Sequence, residues 1–181
     1  MLRAVLDRLY LWAGYAAGAF LIAIFALMMA MSAGRKVGLN IPAGDDFASW
    51  SMAAMAFLGL AHTFKYGEMI RVGLLIDRLK GRVRQGVEIV SLSLGFGFSS
   101  YFAYHAVQLT LYSWRLNDLA QGVVAMPLWI PQLGYCGGLV LLAAGMLDEL
   151  IRVMRGRLPS YHKEPPLTAE EAVERVVHSS V

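Results

Sequence analysis

Four stretches of this chain, Leu9 to Gly34, Phe47 to Phe64, Ile89 to Trp114 and Leu119 to Leu147, contain no Asp, Glu, Lys or Arg. A hydrocarbon core about 30 Å thick is crossed by about 20 apolar helical residues, and each stretch is close to that length or exceeds it. The chain is therefore expected to be an all-α integral membrane protein, a four-helix bundle with spans at about 10–33, 46–65, 88–114 and 126–148. These stretches fill more than half of the 181 residues and leave little chain for a soluble catalytic domain. An uncharged first run this long far exceeds the roughly 7–15 residues of a signal-peptide core, so it is expected to be a retained span.

The formal net charge of +3 and the pI near 9.1 raise the question of a nucleic-acid partner, which the distribution of the charges answers. With the N-terminus inside, thirteen Lys and Arg residues face the cytoplasm, among them Arg3, Arg8, the run from Lys65 to Arg84, and the tail from Arg152 to Arg175. Arg35, Lys36 and Arg115 are the three left outside. This positive-inside bias places both termini in the cytoplasm, with the basic residues at anionic headgroups and no nucleic acid implied. Aromatic residues mark the boundaries: Tyr10, Trp12, Tyr15 and Tyr66 at the inner side, Trp50, Tyr112, Trp114 and Trp129 at the outer side. The single cysteine, Cys136, can form no intramolecular disulfide and is expected to be a small packing residue.

Between the second and third spans, residues 66–85 are too charged to cross the bilayer and too apolar for a free loop. Val72, Leu75, Leu79 and Val83 recur on one face and Arg71, Arg78 and Arg82 on another, which predicts an amphipathic helix in the interface plane at about 68–84. It serves either as a connector on the membrane surface or as a docking surface. The four-span domain is expected to cover 1–157, followed by a flexible cytoplasmic tail, 158–181. Within the tail, Thr168 and Glu171 have the spacing of a capping box for a short helix.

Within the spans, small residues predict helix packing: Gly14 with Gly18, Gly134 with Gly138, and the stripe Ser91, Gly95, Ser99. Ionisable groups deep in the membrane, the default suspects for function, are nearly absent. Asp45 and Asp46 precede the second span, where a helix N-terminus favours negative charge. His62 and His105 differ in depth by roughly 20 Å, so one haem iron cannot take both. His105 belongs instead to a stripe, Tyr101, His105, Gln108, Tyr112, expected to face protein, either within the bundle or on a second membrane subunit. No internal repeat, mid-membrane helix break or acidic ion ligand marks a solute pathway in this chain. No catalytic residue, metal ligand or cofactor site emerges, and the pattern is that of an accessory or scaffold subunit.

Arg35 follows the first span, Asp46 opens the second and Gly59 lies late in it. Then come Ile70, Arg71, Val72, Asp77 and Arg78 in the segment Met69 to Leu79, and Pro127-Leu-Trp129-Ile-Pro131 at the start of the fourth span. This order of features resembles the small membrane subunit (DctQ-like) of tripartite ATP-independent periplasmic (TRAP) transporters, over about residues 5–155. Met69 and Gly73 stand where many members carry His and Asp, so the shape of the segment is expected to matter more than that polar pair.

The resemblance implies a bacterial inner-membrane scaffold for sodium-coupled secondary uptake of organic acids. Its partners would be a large membrane subunit, a periplasmic solute-binding protein met transiently through the complex, and membrane lipids. It implies no enzyme activity, and the chain's length predicts a polypeptide separate from the large partner. The residues expected at partner or lipid interfaces are Arg35, Asp46, Trp50, Ile70, Arg71, Val72, Asp77, Arg78, Tyr101, His105, Gln108, Pro127 and Trp129. The alternative is a free-standing four-span protein, a redox subunit or a small homo-oligomeric channel.

Overall fold

The computed structural model describes residues 2–38, 41–66, 82–122 and 124–155. They form four long helices: α1 (Leu2–Lys36), α2 (Gly44–Tyr66), α3 (Arg82–Arg115) and α4 (Trp129–Met154). The proposed interfacial segment and the tail fall largely outside the described residues. Arg82, Val83 and Arg84, expected to end the interfacial helix, instead open α3. Charge sets where a helix leaves the hydrocarbon and does not by itself end the helix, so α1 and α3 run well past the uncharged stretches.

By length and composition three helices can cross a membrane: Leu6–Lys36, Gly44–Tyr66 and Trp129–Met154. The fourth, α3, has ample length at 34 residues but is diluted by serines and by the Tyr-His-Gln stripe.

The extensive interfaces are α1 with α2, α2 with α4, and α3 with α4, which arranges the bundle as an open row in the order α1, α2, α4, α3. Consecutive in sequence, α2 and α3 have α4 between them. Small residues make each seam. On α1, Ala13 and Ala17 are buried, and Ala17 meets Gly59 of α2. On α4, Gly134 lies on Ala54, and Gly138 lies so close to the backbone of Phe57 and Leu58 that an added Cβ would sit 2.5–2.7 Å from it. Both glycines of that pair therefore pack as expected. Of the α1 pair only Gly14 does, against the His62 ring, while Gly18 faces open space. On α3, Gly95 and the buried Ser99 meet Met146, and Ser91 is exposed.

One apolar cluster, Tyr10, Ala61, Phe64, Leu92, Leu142 and Val153, ties all four helices together at the end that carries Lys65. A second, Ala103, Ala106, Cys136 and Leu139, fills the seam between α3 and α4 further along, with the Cys136 thiol as one of its small packing groups.

At the opposite end, residues 116–122 and 124–128 form a hairpin. Leu119 pairs antiparallel with Pro127, the Ala120 amide donates to Met126, and the Leu128 amide donates to Asp118. Asn117 takes a positive φ of 50°, a conformation asparagine tolerates better than most residues. This hairpin uses residues 126–128, so α4 begins three residues later than the expected span.

Candidate functional site

Two places on the row gather polar groups: the Lys65 end, where three helices are bonded together, and the outward face of α3.

At the Lys65 end, the Lys65 Nζ lies 3.3 Å from the Asp148 carboxylate of α4 and 3.5 Å from that of Asp7 on α1. The lysine is 13% exposed and Asp148 20%, whereas Asp7 is 55% exposed, so the Asp148 pair is the less screened of the two. The ammonium also sits 5.7 Å from the centre of the Tyr10 ring. Tyr10 is almost fully buried and donates its hydroxyl to the Leu141 carbonyl at 2.9 Å. The His62 Nδ1 lies 2.8 Å from the Tyr10 carbonyl, which commits this histidine to holding α1 against α2. Glu149 is fully buried in the same region of α4. Lys65, Asp7, Asp148, Tyr10 and His62 are structural, each bridging two helices, and among the described residues no three His, Cys, Asp or Glu converge as a metal site.

This corrects two expectations. Lys65 does not extend to headgroups but bridges two carboxylates. Tyr10 is not an anchor at the lipid boundary but a core residue, while its neighbours Trp12 and Tyr15 are indeed exposed, edge to face at 6.3 Å.

On α3, Leu92, Ser99, Ala103, Ala106, Thr110 and Ser113 are buried. At 100° per residue they share one side of the helix, and Tyr101, Tyr104, His105, Gln108 and Tyr112 lie on the other. Tyr101, Tyr104, His105 and Tyr112 are exposed and Gln108 half-buried. Their contacts stay within the helix: the His105 ring centre is 4.5 Å from that of Tyr101 and 5.4 Å from that of Tyr104, and the Gln108 amide donates to the Tyr104 hydroxyl at 3.1 Å. The reading in which this stripe bonds to other helices of the same bundle is therefore not what the described residues show. Tyr104 was absent from the predicted stripe, although its i+4 spacing to Gln108 would have revealed it.

The other expected residues divide by place. Arg35 is exposed in the last turn of α1. Asp46, in the first turn of α2, is half-buried, and its carboxylate lies so close to Gly122 that a Cβ there would collide with it. Trp50 stands edge-on to Phe47 at 5.3 Å, Pro127 is held in the hairpin, and Trp129 opens α4 half-buried. These five belong to one end of the row, while Tyr101, His105 and Gln108 belong to the face of α3. Ile70, Arg71, Val72, Asp77 and Arg78 lie outside the described residues.

A family model described as Tripartite ATP-independent periplasmic transporters, DctQ component, matches residues 24–156. The match runs from the middle of α1 through the end of α4. No curated protein matches the chain.

Proposed function

Since the chain belongs to the DctQ-component family of tripartite ATP-independent periplasmic transporters, we propose that it is the scaffold subunit of a sodium-coupled system for uptake of organic acids. In this reading it works with a large membrane subunit that carries the solute and a periplasmic binding protein that delivers it. The single observation that carries the reading is the family match across nearly the whole helical region.

The packing supports a scaffold over a conduit. The seam between α2 and α4 closes to backbone contact at Gly138, and the Lys65 bridges hold three helices in fixed relation. The row lies in the bacterial inner membrane with α3 as its fourth span and both termini in the cytoplasm. That orientation puts the Lys65 end inside, where most of the basic residues lie, and the 116–128 hairpin in the periplasm. Residues 1–157 are the membrane domain and 158–181 a cytoplasmic tail.

Affinity purification of the tagged chain from gently solubilised native membranes, followed by mass spectrometry, tests the reading. The expected result is a large multi-span permease at near-equal amount, with loss of sodium-dependent organic-acid uptake when this chain is deleted. Recovery of the chain alone, or only with itself, would overturn the proposal.

A further inference from the structure

An open row has two edge helices, and the two edges of this one differ in chemistry. The outward side of α1 is apolar. Leu21, Ile22, Phe25, Met28 and Met29 are exposed there, and no residue from Ala16 to Met31 has a hydrogen-bonding side chain. Hydrocarbon solvates such a face without loss.

The edge made by α3 presents Tyr101, Tyr104, His105 and Gln108 at a depth where the aromatic belt offers no explanation. The uncharged run Ile89 to Trp114 is centred next to Tyr101, so at 1.5 Å per residue Tyr104 and His105 sit about 4–5 Å from mid-membrane and Gln108 about 10 Å. The hydrocarbon half-thickness is about 15 Å, which places all four inside it. Trp and Tyr of an interfacial belt sit at the headgroups, not here. Polar side chains in hydrocarbon face protein because lipid tails offer them no partner, yet among the described residues none of these four bonds to another helix of this chain. Open glycines do not separate the edges, since Gly18 on α1 and Gly97 on α3 both face empty space. Hydrogen-bonding groups do.

We propose that α3 is the docking edge of the row, and that a span of the large membrane subunit lies along Tyr101, Tyr104, His105 and Gln108, while α1 faces lipid. The inference rests on the functional reading above and deepens it by naming the edge and the chemistry of its occupant. The partner helix presents polar side chains or freed backbone groups at the depth of His105, because that is what completes the hydrogen bonding of this face. A lipid chain cannot do so, and the apolar edge of a second copy, its α1, cannot either.

Site-specific photo-crosslinking in native membranes tests the edge with substitutions that keep an aromatic or apolar bulk. The photoreactive residue p-benzoylphenylalanine replaces Tyr101 or Tyr104 on one edge and Ile22 or Phe25 on the other, in the tagged full chain. Adducts with the large permease are expected from the α3 positions, at least about tenfold over the α1 positions. Equal yields from both edges, adducts from α1 alone, adducts between copies of this chain, or lipid adducts from α3 while the permease still co-purifies would each overturn the docking edge and leave the functional reading standing. A preparation without the permease would sink that reading itself. In the same membranes, the combined change Tyr101→Phe, His105→Leu, Gln108→Leu is expected to lower the permease recovered with the tag at least about fivefold, with the helical content of the purified chain unchanged. Full recovery would count against the proposal.

Discussion

The Tyr10 hydroxyl on α1 donates to the main-chain carbonyl of Leu141 on α4, 131 positions further along, at 2.9 Å. This bond joins helices that share no extensive interface, so α1 reaches α4 at the Lys65 end. Gly145 makes room for it: a Cβ there would lie 2.9 Å from the hydroxyl and 3.3 Å from the Phe64 ring.

Tyr10→Phe removes the bond and keeps the ring, so it is expected to cost about 1 kcal/mol. Gly145→Ala displaces the same hydroxyl, so the double variant should lose less than the two single changes together. Thermal unfolding of the purified chain in detergent reads both. Strict additivity would mean that the hydroxyl and Gly145 are not coupled.

Lys65→Met strips two carboxylates of one cation. The expected cost is about 1–2 kcal/mol, below the value for a fully buried pair because Asp148 keeps 20% of its side chain exposed. Asp7→Asn, at an exposed and screened position, is expected to stay within about 0.5 kcal/mol. Limited proteolysis or thermal unfolding ranks the two, and a reversed order would contradict the geometry.

Gly138 and Gly137 are neighbours with opposite surroundings. A Cβ at 138 meets the backbone of Phe57 and Leu58, which cannot rotate away, whereas at 137 nothing lies within 4 Å. Gly138→Ala is expected to cost about 1–3 kcal/mol by forcing α2 and α4 apart. Gly137→Ala should be neutral or slightly stabilising, since alanine is the better helix former. Size-exclusion profiles together with unfolding midpoints distinguish the pair.

Gly122→Ala drives a methyl group into the Asp46 carboxylate and is expected to lower stability by about 1 kcal/mol as the side chain swings aside. In an Asp46→Ala background the same change should be silent, because the obstacle is gone. An unchanged penalty in that background would locate the strain in the hairpin instead.

The helices themselves were legible because charge-free length is a direct imprint of the bilayer. Their limits were less so. Arg82 and Arg84 precede the uncharged run, yet the helix includes them, since nothing in Arg-Val-Arg-Gln opposes helical geometry. The neighbour order α1, α2, α4, α3 had no local sign: Gly14-x-x-x-Gly18 and Gly134-x-x-x-Gly138 are the same pattern, and only the structure separates the pair that packs fully from the pair that packs by half.

The polar clusters were legible as residue types but not as partners. Tyr10 reads like Trp12 and Tyr15 along the sequence, and its burial depends on a carbonyl in the last helix. The α3 stripe was visible from spacing alone, but whether it looked inward or outward was settled by the buried run of Ser99, Ala103, Ala106, Thr110 and Ser113 on the other side. The hairpin before α4 was missed although Asn117, Asp118, Gly122 and Pro127 carry turn chemistry, because the uncharged run from Leu119 onward covers most of it.

The order of neighbours also sets a schedule for biosynthesis. Of these four helices α1 and α2 are made before the others and share an interface, so they can pair while α3 and α4 are still being made; α3 and α4 likewise share one. The extensive seam that joins the two pairs is the one between α2 and α4, where Gly134 and Gly138 meet Ala54, Phe57 and Leu58. Assembly thus becomes the joining of two finished hairpins, and a fault at Gly138 would strand two intact halves in the membrane instead of one misfolded chain.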